Sequence, residues 1–246
     1  MNKVSLIVPF YNEKDVLCLT VPQILTYMRK NFSEYEVIFV DDGSTDGSRA
    51  LVKQLCPPAK GSRVIIIGYT NNIGRGQAIR FGMEHATGDM IGYIDCDLEL
   101  KLEYVEKAFT LLKVYDIVIA SKFVRGSTVH TPLVRRVSSR TYNAMIRLIL
   151  RSKVQDHQAG LKFFRRAVAS ILLPLTHEKG WLWDTEMLYI AQKRNYSIFE
   201  MPITITYGFR KMRGSFVVDF LKLFGTLIRL KYALDKCITA PYNTTI

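Results

Sequence analysis

The sequence predicts an α/β domain: a mostly parallel sheet with helices on both faces. Three observations predict it. Short, continuous apolar runs rich in Val and Ile alternate with longer helix-like segments, the spacing of doubly buried strands joined by crossover helices. Three of those runs end on polar clusters, FYNE (10–13), DDGSTDG (41–47) and DCDLE (95–99). Ligands of such sheets bind beyond the carboxyl ends of the strands, which is where these clusters fall. Finally, 48% of the 246 residues are hydrophobic, enough for one large domain with its own core.

The elements follow in order. VSLIV (4–8) is a strand stopped by Pro9, and a helix covers 14–30. EVIFV (36–40) is a buried strand, and 47–55 is helical up to Pro57-Pro58. RVIIIG (63–68) is a third strand, 74–86 a helix and DMIGYID (89–95) a fourth strand. A helix over 101–113 and the strand YDIVIA (115–120) come next. Residues 121–136 read as a loop rich in Arg, Ser and Thr, 137–151 as a helix, and 156–164 as a loop entering a strand. Residues 181–194 are helical and 197–207 extended. No repeat or linker interrupts this, so 1–215 reads as one domain and 216–246 as an amphipathic helix with a tail. In that helix Phe216, Phe220, Leu223, Phe224, Leu227 and Leu230 stand beside a stripe with Lys222 and Arg229. It either packs on its own domain or lies in a membrane interface; its charges are too closely spaced for a span.

Composition excludes several classes. Cys18, Cys56, Cys96 and Cys237 show no C-x-x-C spacing, which argues against a disulfide framework or zinc site and fits a reducing compartment. The N-terminus lacks the regions of a signal peptide. Charge is lopsided: residues 1–120 carry a net −2 and residues 121–246 a net +14. The basic half suits phosphorylated molecules or an anionic membrane. Nucleic acid is not expected as a partner, since the acidic half repels it and no helix-turn-helix or aromatic RNA-binding signature is present.

Asp95, Asp97 and Glu99 are spaced to share one face of a strand end. Three carboxylates there repel one another unless a cation sits between them, and hard oxygen ligands select Mg²⁺ or Mn²⁺. Cys96 points to the other face and packs. Asp42 could accept hydrogen bonds from a nucleobase or a ribose.

Four segments taken together are more specific: PFYNE (9–13), VDDGSTDG (40–47), N-x-GRGQA (72–78) and DCDLE (95–99). In this order and strand placement the chain resembles the inverting family 2 glycosyltransferases of GT-A, Rossmann-like fold. Over roughly residues 3–215 it is most similar to the dolichyl-phosphate and polyprenyl-phosphate mannose and glucose synthases. The resemblance implies a nucleotide-sugar donor, Mg²⁺ or Mn²⁺ on its diphosphate, and a polyprenyl or dolichyl phosphate acceptor. Mannose is expected ahead of glucose, and transfer to a sugar hydroxyl is the other acceptor reading.

By the same resemblance Pro9, Tyr11, Glu13, Asp41, Asp42 and Asp95 bind the donor, and Asp95, Asp97 and Glu99 hold the metal. Lys122, Arg135, Ser139, Arg210 and Arg213 bind the acceptor, with Asp97, Lys122, Arg135 and Arg210 catalytic. Lys122 departs from the family's usual arginine. Asp156, Lys162, Asp184 and Glu186 also match family segments. A phosphate oxygen is already anionic, so no strong general base is required. The expected setting is peripheral, on the cytoplasmic face of an anionic membrane, with a membrane subunit as an alternative anchor.

Overall fold

The computed structural model describes residues 3–56, 63–206, 224–232 and 235. Its centre is a seven-stranded sheet of β1 (Val4–Phe10), β2 (Tyr35–Asp42), β3 (Arg63–Tyr69), β4 (Met90–Ile94), β5 (Ile117–Ser121), β7 (Leu161–Arg165) and β8 (Ile198–Pro202). The spatial order is β3-β2-β1-β4-β7-β5-β8. A separate two-stranded ladder pairs β6 (Thr128–His130) with β9 (Thr204–Thr206).

Alternation of side chains sorts the core into two layers. Leu6 and Val8 of β1, with Val37 and Phe39 of β2, face one cluster shared with α1 (Lys14–Asn31) and α4 (Glu103–Leu111). Ile7, Ile38 and Val40 face the other, shared with α3 (Arg75–His85), α5 (Leu133–Leu150), α6 (Arg166–Leu172) and α7 (Trp183–Lys193). Helix α2 (Ser48–Leu55) completes the β2–β3 crossover. The strand order turns back between β1 and β4, which opens the crevice at their carboxyl ends. Their ladder stops at the Ile7–Tyr93 pair, so Pro9 lies where only the β2 side is paired.

The structure departs from the sequence-based elements in four places. β7 runs antiparallel to both β4 and β5; a strand buried on both faces reads the same in either direction. The supposed loop 121–136 contains β6, and α5 begins at Leu133. Its first turn exposes Leu133 and Val134, so the inward-apolar pattern that marks a helix is missing there. Helix α6 follows β7 without a loop, leaving no turn signal. Within the C-terminal segment residues 224–232 are helical (α8), and Leu227 and Leu230 are buried in the α7 cluster, not turned toward a membrane. Phe224, Ile228 and Tyr232 remain exposed, while Phe216, Phe220 and Leu223 lie outside the described residues.

At the opposite, amino-terminal edge Glu36 is fully buried. Its Oε1 accepts from Ser5 Oγ at 2.6 Å and Thr87 N at 2.5 Å, its Oε2 from Lys3 Nζ at 3.0 Å and Thr87 Oγ1 at 2.8 Å. Burial pushes this carboxyl up, but the bonds from Ser5, Thr87 and Lys3 outweigh it and bring it to about 2, against 4.5 for a free group. The folded value is the lower one, so the stabilisation is complete above pH 4.5 and is lost as pH falls toward 2. Its size is on the order of 3 kcal/mol. The expected outcome is that Glu36→Gln lowers urea-unfolding stability at pH 7 and flattens the acid limb of the stability–pH curve. An unchanged acid limb would assign that limb to other carboxylates.

Candidate active site

The loops at the crevice are stitched by short polar side chains. Asn12 takes the left-handed conformation (φ 51°), which asparagine tolerates. Its backbone N–H donates to Ser44 Oγ at 3.0 Å, and its side-chain Oδ1 accepts from Thr45 N at 2.8 Å. Glu13 N donates to Ser48 Oγ and Lys14 N to Asp46 Oδ2. FYNE and DDGSTDG are therefore one interlocked structure. Asp41 and Asp42 are both buried inside it. Asp41 Oδ1 accepts from Ser44 N at 2.9 Å. Asp42 accepts from Asn72 Nδ2 and Ile73 N, each at 2.9 Å, and from Gly74 N at 3.0 Å. A nucleoside donor would share those oxygens with the 72–74 loop. Pro9 is buried, Glu13 half-buried and Tyr11 exposed at the rim.

The start of α3 is pressed onto the segment before α7. A Cβ on Gly74 would stand 2.6 Å from Lys179 O, and one on Gly76 2.3 Å from Trp183 Cβ. That approach carries Arg75 between β4 and α7. Its Nε and Nη2 donate to Asp95 Oδ1 at 2.9 and 2.6 Å, and its Nη1 to Asp184 Oδ2 at 2.9 Å. Its guanidinium carbon lies 5.2 Å from the Tyr93 ring centre and 5.1 Å from that of Trp181.

Tyr93 OH donates to Asp184 Oδ1. Lys162 sits opposite Tyr93 in the β4–β7 register, fully buried, with Nζ donating to Ala159 O at 2.8 Å and 3.7 Å from Asp184 Oδ1. Burial pushes Lys162 down, with Asp184 resisting. Burial also pulls on Arg75, but Asp95 and Asp184 outweigh it and hold the guanidinium charged. Asp95 is pushed up by burial, with Asp97 adding to the rise and Arg75 opposing it.

Residues 95–99 do not continue the strand. β4 ends at Ile94, Leu98 is left-handed (φ 50°), and Leu98 N donates to Asp95 O at 3.2 Å. The carboxylates are thus disposed by a turn, not by strand alternation, and they do not converge on one point. Glu99 leans to Arg135, with Oε2 3.5 Å from Nη2. Asp97 Oδ1 accepts from Glu99 N at 3.2 Å. Among the described residues no three His, Cys, Asp or Glu side chains are grouped to enclose a metal ion. The Asp97 carboxylate opposes ionisation of Asp95, and such a neighbouring pair would suit a hard, oxygen-binding cation. Gly160 backs this pair: its carbonyl accepts from Asp95 N at 3.0 Å, and a Cβ there would stand 2.0 Å from Asp95 Oδ2.

On the basic side, Lys122 N donates to Asp156 Oδ2 at 2.9 Å, and its Nζ lies 3.7 Å from the same oxygen. Ser139, one turn beyond Arg135 on α5, has a buried Oγ without a hydrogen-bond partner among the described residues. Arg210 and Arg213 lie outside the described residues. Sequence reasoning quoted Arg75 within its motif without giving it a role, and it gave none to Tyr93 or Trp181. The only signal for Arg75 was a cation at a helix start, next to the third polar segment.

A family model described as Glycosyl transferase family 2 matches residues 5–172. Among curated relatives, glycosyltransferase AglD of Haloferax volcanii is 31% identical over 82% of this chain and 32% of its own length. Dolichyl-phosphate beta-glucosyltransferase ALG5C of Trichomonas vaginalis is 28% identical over 81% of this chain and 62% of its own. The human dolichyl-phosphate beta-glucosyltransferase is 30% identical over 89% and 71%. The chain thus spans less than two thirds of the first two. Mannosyl-3-phosphoglycerate synthase from Rubrobacter xylanophilus superposes with a TM-score of 0.68 at 15% identity, covering 100% of this chain and 77% of that one. Glucosyl-3-phosphoglycerate synthase from Mycobacterium tuberculosis, solved with Mn²⁺, UDP and glucosyl-3-phosphoglycerate, gives 0.62 at 17% over 99% and 82%. At these identities the two structures show a shared fold.

Removing Arg75 leaves the buried Asp184, and the partly exposed Asp95, without their cation. Breaking a buried pair by deleting one partner costs about 3–5 kcal/mol. Arg75→Ala is expected to lose stability of that order in urea unfolding. Arg75→Lys keeps the charge but cannot span both carboxylates, and should fall between. A loss under about 1 kcal/mol for Arg75→Ala would mean that the cluster is not held by this residue.

Proposed function

The chain belongs to glycosyl transferase family 2, and from that premise we propose that it moves a hexose from a nucleotide-diphosphate sugar to a polyprenyl or dolichyl phosphate, with inversion. The observation that carries the proposal is the Asp95–Asp97 pair at the end of β4, where the strand order turns back, backed by Arg75, Asp184 and Lys162. Two relatives named dolichyl-phosphate beta-glucosyltransferase support glucose over the mannose expected from the sequence, whose motifs do not distinguish the two donors.

Asp95 and Asp97 would hold Mg²⁺ or Mn²⁺ against the donor diphosphate. When bound, the metal supplies Lewis-acid stabilisation of the departing nucleoside diphosphate. The chain's own residues do the rest. The 41–48 and 72–74 loops fix the nucleoside side. Arg75 holds Asp95 in place. Lys122 and Arg135 present positive charge on the acceptor side. An acceptor phosphate oxygen attacks the anomeric carbon, the bond to the donor phosphate breaks, and its electron pair leaves with the nucleoside diphosphate.

The buried acids favour a phosphate over a sugar hydroxyl as nucleophile. A hydroxyl needs a general base within reach of its proton. Asp184 is occupied by Arg75 and Tyr93, Asp156 by Lys122 N and Gln158 N, and Glu186 by the amides of His177 and Glu178. All three are buried. An anionic phosphate oxygen needs none of them.

The proposed setting is the cytoplasmic face of a membrane, with peripheral attachment. Among the described residues no helix is long and apolar enough to cross one. The test is a donor panel with a short polyprenyl phosphate and Mn²⁺, read by product mass. UDP-glucose is expected to give the largest yield. Product from a sugar-hydroxyl acceptor alone would overturn the phosphate assignment. Asp97→Ala should abolish transfer while changing stability by no more than about 1 kcal/mol, because the side chain is not part of the core. Near-normal turnover in that variant would remove the metal from this pair.

A further inference from the structure

Helix α5 divides its residues between two environments. Inward, Asn143, Met145, Ile146 and Leu150 are buried, and Arg135 reaches Glu99 at the candidate site. Outward, Leu133, Val134, Val137 and Leu148 are 74, 71, 53 and 82% exposed. Arg136 and Arg140 are exposed among them. The helix spans 18 residues and contains four arginines and no Asp or Glu. An ordinary water-facing helix surface carries polar and charged residues. Here the outer face is aliphatic and cationic.

We propose that this face of α5 docks on an anionic lipid bilayer. The aliphatic side chains enter the headgroup boundary, and the arginine stems lie along it with their guanidinium groups on lipid phosphates. The charge of the patch, within a half-chain of net +14, is complementary to anionic lipid and to no acidic patch of its own helix. The geometry also gives the docking a purpose, and in this respect it rests on the proposed transfer to a polyprenyl phosphate. Two residues, about 3 Å of helical rise, separate Arg135 at the site from Val137 in the patch. Docking therefore sets the acceptor side of the crevice at the level of the lipid phosphates, where the head of a membrane-borne polyprenyl phosphate lies.

The α8 stripe of Phe224, Ile228 and Tyr232 is the competing surface. It belongs to a helix whose Leu227 and Leu230 are already committed to the core, and Asp235 accepts from Tyr189 OH at 2.7 Å and pairs with Lys193. That acid and its ties to α7 make the stripe the weaker lipid contact.

The test is co-sedimentation of the full chain with vesicles of phosphatidylcholine alone, or of phosphatidylcholine and phosphatidylglycerol in equal parts, at low and high salt. The native chain is expected to bind the anionic vesicles and to be released by salt. L133D/V137D and R136E/R140E should each lower the partition coefficient roughly tenfold or more. Their melting temperatures should hold, because all four side chains are exposed. Turnover with a short soluble acceptor should hold too, while turnover with a vesicle-embedded acceptor falls.

Three results overturn the proposal: a native chain that stays in the supernatant at low salt, undiminished binding by both α5 variants while F224S/I228S loses it, or an L133D/V137D variant that turns a dimer into a monomer with vesicle binding intact. The vesicles hold neither donor nor acceptor, so their result and that of the donor panel can fail independently.

Discussion

One guanidinium ties three elements together. Arg75 opens α3, grips Asp95 at the end of β4 and reaches Asp184 in the first turn of α7. Buried ions are costly unless paired and hydrogen-bonded, and a misfit here would be felt across both halves of the chain. The cluster meets that condition by balance: Arg75 and Lys162 stand against Asp95 and Asp184, with Tyr93 bonded to Asp184 and its ring near both cations. Asp97 is the carboxylate added at the rim. A divalent cation with a diphosphate diester is itself close to neutral, so such a pair could enter a balanced cluster without a large change in local charge. Asp97 then favours the cation end.

That balance depends on close backbone approach. Gly74 and Gly76 let the start of α3 meet residues 179–183, and Gly160 lets the antiparallel β7 side crowd Asp95. A side chain at any of these positions would push apart elements that Arg75 must bridge. The antiparallel insertion of β7 serves the same end: its register sets Lys162 directly opposite Tyr93 and within reach of Asp184. The crevice is where two halves of opposite charge meet, and the β4–β7 ladder joins them.

How much of this was legible in the sequence follows from what each feature depends on. The buried strands and their polar ends were legible because burial on two faces dictates composition directly. β7's direction was not, since composition is blind to it. The Asp95–Glu99 run was read by strand alternation, but β4 ends at Ile94 and a turn with left-handed Leu98 follows it. Leucine carries no signal for a positive φ. Arg75 went unassigned because its partners are 20 and 109 residues away, and pairing at that range leaves no local pattern. The C-terminal helix was legible as amphipathic, but a buried face and a lipid-facing one look alike in sequence, and Leu227 and Leu230 proved to be core.

The same ambiguity resolves differently on α5. Inward-facing Met145, Ile146 and Leu150 satisfy the helix's need for a core, so Leu133, Val134, Val137 and Leu148 are surplus to folding. Apolar side chains left in water do not help a lone soluble domain, and scattered singly they would need no explanation. Gathered on one helix with arginines and no acid, they gain only from a surface that is apolar beneath and anionic on top. Arg135, on the same helix, is paired with Glu99 beside the Asp95–Asp97 turn. A helix that met such a surface on one side and the catalytic crevice on the other would couple membrane contact to acceptor placement through a few ångströms of rigid backbone. A loop in its place could not hold that spacing.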